Sequence, residues 1–154
     1  MRALLPGGAL LALLLPAALL AQGAAPAPKL QWGPAPAAFP KGAEMAVVSG
    51  DPGKAGVFTI ELSMPGGYRI PPHFHPTDEK IEIKKGTFLV GMGDKLDLKQ
   101  ARPMETGDTG TMAAKAHHYA ATKGATIVAV TAMGPFAMTY VNPKDDPQNA
   151  SAGY

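Results

Sequence analysis

From Phe58 to Met64 apolar and polar side chains alternate without a break, with Phe58, Ile60, Leu62 and Met64 on one side and Thr59, Glu61 and Ser63 on the other. A period of two predicts a strand with one buried face. The same style recurs in "EMAVVSG" from Glu44, "KIEIKKGTFLVGMG" from Lys80, "HHYAATKGATIVAVTAM" from His117 and "FAMTYV" from Phe136. Turn signals at Asp51-Pro52-Gly53, Lys85-Gly86, Lys123-Gly124 and Gly134-Pro135 separate these runs. Many short strands at this spacing predict an all-β fold, an antiparallel barrel or sandwich. Only "DKLDLKQA", Asp94 to Ala101, has a pattern compatible with a helical turn. A chain of 154 residues has room for one such domain.

The two ends break the pattern. "MRALLPGGALLALLLPAALLAQGAA" opens with one Arg, runs through Ala and Leu, and reaches small residues near Ala21, Gly23 and Ala25. That is the layout of a secretory signal peptide, expected over residues 1–23. Residues 24–41 are rich in Ala and Pro and are expected to be an extended linker, with Trp32 anchoring it to the fold. The folded domain is expected over 42–142, and 143–154 as a partly ordered tail. With no cysteine the chain has neither a disulfide nor a lipid-anchored Cys. A periplasmic or secreted protein is expected, without stable membrane insertion once the leader is removed.

Net charge is +2, a near balance that makes nucleic acid an unsuitable partner. The most basic run, Lys80 to Lys85, alternates with Ile81 and Ile83 as a strand with one wet face does. Met45, Met64, Met92, Met104, Met112, Met133 and Met138 are scattered one per strand or loop, so gap-filling in the core explains them better than copper handling.

Candidate chemistry is concentrated in "GYRIPPHFHPTDEKIEIKKG", Gly67 to Gly86. A His-x-His pair, His73 and His75, places both imidazoles on one face of a strand. Glu79 adds a carboxylate, and two imidazoles with a carboxylate suit a divalent first-row metal. If residues 79–84 form one strand, Glu79 shares the inner face with Ile81 and Ile83, while Lys80, Glu82 and Lys84 face solvent.

This stretch resembles the first motif of the cupin superfamily, which has a glycine, five residues, His-x-His, a short gap, Glu, six residues and a glycine. Gly67, His73, His75, Glu79 and Gly86 match each fixed position. The second cupin motif corresponds to "GDTGTMAAKAHHYAAT", in which the count from Gly107 lands on His118. Here the chain departs from the pattern: Ala113 replaces a proline, Lys115 a glycine, and Thr122 a common asparagine. His117 has the opposite parity and is expected to face away. The resemblance covers residues 42–142 and implies a double-stranded β-helix, a jelly-roll-like barrel. It also implies a metal held by His73, His75, Glu79 and His118, one divalent transition ion of iron, manganese or zinc. Ile70, Phe88, Val90, Met92 and Met133 are the expected apolar lining.

Two functional classes follow. One is a metal-dependent oxidoreductase of dioxygenase type acting on a small organic molecule. The other is a non-catalytic cupin that holds a metal or small ligand for sensing or storage, or a redox-neutral isomerase. Ile70 stands where germin-like cupins that act on oxalate often carry asparagine, which lowers an oxalate reading. No general base separate from the metal ligands stands out. A small-molecule ligand or substrate is the expected partner, with a homodimer left open.

Overall fold

The computed structural model describes residues 29–150. The leader expected at 1–23 and the end of the tail, 151–154, lie outside the described residues. The alternating runs form two antiparallel sheets. One has six strands in the order β1 (Gly33–Pro34), β2 (Glu44–Ser49), β3 (Gly56–Met64), β10 (Thr126–Gly134), β5 (Glu79–Lys85) and β8 (Thr109–Met112). The other has five, in the order β11 (Thr139–Tyr140), β4 (Arg69–Phe74), β9 (His118–Thr122), β6 (Thr87–Met92) and β7 (Arg102–Glu105). The all-β fold expected from the periodicity is what forms.

Parity decides the core. Phe58, Ile60, Leu62 and Met64 of β3, Ile81 and Ile83 of β5, and Val128, Val130 and Ala132 of β10 bury one face of the first sheet. Ile70, Phe88, Val90, Met104 and Ala120 answer from the second. At about 1.5–3 kcal/mol for each fully buried large apolar side chain, this interlayer is the main favourable contribution to folding.

The two prolines of β4 do not end the strand. Ile70 pairs with Ala120 and His73 with His118, so one extra residue of β4 is accommodated in a bulge at Pro71-Pro72. The bulge lets Ile70 and His73, three positions apart, both face the interior, and it leaves Tyr68 buried with Arg69 exposed. Gly86 joins β5 to β6 with φ +81°, and a Cβ there would press on the carbonyl of Ala125, so a left-handed turn without a side chain is required.

The stretch Asp94 to Ala101, whose pattern left a helical turn open, holds a single turn, with the Gln100 amide donating to the Asp97 carbonyl at 3.0 Å. Three expectations are corrected. Trp32 is 38% exposed and is no anchor; Phe39 is buried in its place and stacks on Phe136. Met133 lies one residue past the inward Ala132, so parity turns it outward. Met92 shares the inner face with His118, its register partner, but β7 ends opposite Val90 and leaves Met92 uncovered and exposed. Residues 29–41 are tied to the domain by β1 and by two tyrosine hydroxyls, Tyr68 donating to the Pro40 carbonyl and Tyr140 to that of Ala38. Within the tail, Pro143–Asp145 forms a 3-10 turn and α1 (Pro147–Ala150) a single helical turn.

Candidate metal centre

The second sheet brings two of the predicted histidines together as direct cross-strand partners, His73 on β4 and His118 at the start of β9. His75 lies just past the end of β4, and Glu79 is the first residue of β5 in the facing sheet. All four side chains are buried. The ring centroids of His73 and His118 are 4.3 Å apart, and one nitrogen from each of the three imidazoles lies within 4.8 Å of the others. Glu79 Oε2 is 3.5 Å from the Nε2 atoms of both His75 and His118.

Each imidazole is oriented by the main chain. His73 Nδ1 is 2.7 Å from the Pro71 carbonyl, His75 Nδ1 is 2.8 Å from that of Ala137, and His118 Nδ1 is 2.9 Å from that of Ala116. A carbonyl only accepts, so each Nδ1 carries the proton and donates it. In the neutral rings Nε2 therefore presents a lone pair. The Nε2 atoms of His75 and His118 are buried without a hydrogen-bond partner and look toward a carboxylate. Burial, followed by the neighbouring His118, pushes His73 down to about 3, so its ring is neutral at physiological pH. Lone pairs and an anion converging in an apolar interior form a set of acceptors without a donor, and a cation is what satisfies such a set. The residues fit a divalent transition ion in both donor type and arrangement, and each ligand ring is held through its far nitrogen in the manner of outer-shell orientation.

The departures in the second motif leave this geometry intact. Lys115 takes the position of the motif glycine with φ +62°, the one non-glycine residue at positive φ among the described residues. Three hydrogen bonds hold the turn there: Lys115 N to the His75 carbonyl at 2.8 Å, Ala116 N to that of Ala113 at 3.0 Å, and Ala114 N to Asp78 Oδ1 at 2.8 Å. His117 faces away, its Nδ1 2.6 Å from Asp94 Oδ1 and its ring stacked on Phe74. Glu82 lies off the interior and pairs with Lys84.

A cavity of about 30 Å³ adjoins His73, Glu79 and His118, closed by apolar side chains that include Leu62, Ile70, Phe88, Val90 and Met112. Ile70, Phe88 and Val90 thus line it as expected, and Met92 and Met133 do not. Phe136 was not foreseen. Its ring stacks on His75 at 5.2 Å, and the next residue supplies the carbonyl that fixes the same imidazole. The Gly134-Pro135 turn signal marked that segment, but nothing local to it points to a histidine sixty residues away.

No protein-family model and no curated protein matches the sequence. Solved structures do match in shape. A candidate acetylacetone dioxygenase from Methylibium petroleiphilum PM1 is 22% identical, with 77% of this chain and 79% of that chain covered at a TM-score of 0.58. The DMSP lyase DddQ from Ruegeria pomeroyi DSS-3 is 19% identical, with 75% and 62% covered and a TM-score of 0.60. An RmlC-like cupin from Shewanella frigidimarina NCIMB 400 is 15% identical, with 60% and 76% covered and a TM-score of 0.51.

Proposed function

We propose that this chain, a cupin by fold, is an exported metal protein that holds one divalent transition ion through His73, His75, Glu79 and His118 and carries out dioxygenase-type oxidation of a small organic molecule. The observation that carries the metal reading is the shared tautomer. Three Nδ1 protons are committed to main-chain carbonyls, so the Nε2 lone pairs and the Glu79 carboxylate converge with no proton to share. Three neutral donors and one anion leave a divalent ion with net positive charge, which suits Lewis-acid or, with iron or manganese, dioxygen chemistry. The chain's own part is to orient the imidazoles, set the Glu79 carboxylate beside them, and exclude bulk water with the apolar wall of Leu62, Ile70, Phe88 and Val90. Structural neighbours that act on small molecules, a candidate acetylacetone dioxygenase and a DMSP lyase, support a substrate of that scale. The N-terminal leader supports export to a periplasm or the outside.

A specific observation favours a second reading, a non-catalytic binding protein. Apart from the proposed ligands themselves, the cavity lining is apolar among the described residues, with no further group to move a proton. Metal analysis of protein from its native compartment, followed by oxygen uptake with small diketones, diols and phenols, separates the two. Iron or manganese with substrate-dependent uptake is the expected result. Zinc with no uptake would overturn the oxygenase reading and favour the binding protein.

A further inference from the structure

The strands β7 and β8 are consecutive in sequence yet end different sheets among the described residues, and side chains of both come together at one place on the surface. A groove of about 390 Å³ lies there, with Val90, Met92, Arg102, Met104 and Met112 among its lining residues. That volume is within the range of small-molecule sites, whereas the 30 Å³ beside the histidines holds about one water. Val90 and Met112 line both spaces, so side chains of these two residues form the partition between them. Met112 is the direct register partner of Glu79, and Met92 that of His118, which sets the inner end of the groove at the level of the four buried ligands.

The floor is adjustable. Gly110 pairs with Ile81, and a Cβ at Gly110 would meet the Met104 methyl at 3.2 Å and that of Met112 at 3.7 Å. The missing side chain thus leaves space that two flexible thioethers partly fill. Methionines repack around ligands and make favourable sulfur contacts with aromatic rings. The rim is polar, with Arg102, Asp108, Thr109 and Thr111.

From this arrangement we infer that the groove between β7 and β8 binds the body of a small aromatic molecule with one polar substituent, and that Met112 and Val90 form the passage through which its reactive end reaches the histidine cavity. The binding half stands on the groove alone; the passage half rests on the metal reading proposed above.

Methionine-methyl NMR of the chelator-treated full chain, titrated with phenol, tests the first half. Saturable shifts are expected at Met92, Met104 and Met112, with Met45 and Met138 unmoved. Flat titrations at the three groove methionines, or equal shifts at all five, would overturn the site. Gly110→Val fills the floor and is expected to weaken phenol binding about tenfold. If that variant does not fold, Gly110→Ala, whose one methyl approaches the Met104 methyl at 3.2 Å and stays in ordinary contact with Ile81 and the Met112 methyl at 3.7 Å, replaces it, and unchanged affinity in the folded variant also counts against the site. For the second half, manganese-loaded protein should speed the relaxation of bound phenol protons, and His73→Ala should remove that effect. Binding of phenol without any uptake of manganese would sink the metal reading and leave the groove standing. Metal uptake with phenol protons unrelaxed would overturn the passage.

Discussion

At the scale of single residues, the two adjacent histidines of the second motif have opposite fates. His118 is buried among the acceptors, and His117 is on the surface with Asp94. His118→Ala is therefore expected to abolish stoichiometric metal binding measured by calorimetry, whereas His117→Ala and Glu82→Gln keep it. The exposed His117–Asp94 pair should contribute under about 1 kcal/mol, so denaturant midpoints of His117→Ala should stay near those of the parent. Lys115 offers a prediction of the opposite sign. An L-residue in the left-handed region costs about 1–2 kcal/mol, and glycine loses about 0.5–1 kcal/mol more conformational freedom on folding than alanine does. Lys115→Gly is expected to stabilise the protein by up to about 1 kcal/mol with metal binding unchanged, read as a raised denaturation midpoint. A lower midpoint would mean that the turn does not carry this strain.

At the scale of elements, the outer face of the β6–β9 pair depends on a glycine opposite a tyrosine. Gly91 is the register partner of Tyr119, whose ring lies where a Gly91 Cβ would stand and whose hydroxyl donates to the Asp97 carbonyl at 2.8 Å. The ring is almost fully buried and ties the 94–100 turn to the sheet. Gly91→Ala is expected to displace it at a cost of about 1–3 kcal/mol, with faster hydrogen exchange in β6, β9 and the turn. Unchanged exchange would show that the ring has room to move. Strand parity was legible along β3 and in β5 as far as Ile83, because each alternates there with one wet face; in β10 the expected inward Met133 was wrong, since its parity is opposite to that of Ala132. It was not legible in β4, where Pro71-Pro72 introduces a bulge that only pairing with β9 reveals. It also failed for Met92, whose parity is inward but whose covering strand stops two residues short.

At the scale of the whole molecule, an N-terminal segment, a turn and the ligand cluster form one packed column: Phe39 stacks on Phe136, Phe136 meets Phe58 edge-on, and Phe136 stacks on His75. Phe39→Ala is expected to cost about 3–5 kcal/mol and to lower the melting temperature with or without metal. Metal removal is the complementary test. An ion that binds only the folded state stabilises it by about 2.7 kcal/mol at one hundred times its dissociation constant, so chelation should lower the melting temperature of native protein and re-addition should restore it. His75→Ala protein should show no response to either treatment.

The sequence by itself determined the all-β class, the inward face of β3 and the placing of His73, His75 and Glu79 as candidate ligands, because period-two alternation is a local property of the chain; His118 was named through the resemblance of the second motif, and the structure brings it to the other three. The sequence did not determine that Lys115 would adopt the glycine conformation. That was decided by hydrogen bonds to His75 and Asp78, about forty residues earlier in the chain. Nor did it determine the tautomers of the three histidines, since each is set by a main-chain carbonyl whose position belongs to a bulge, a turn or a distant segment. The groove between β7 and β8 is likewise a product of tertiary structure, because it exists only where side chains of both strands come together and the methionines gathered there come from three strands.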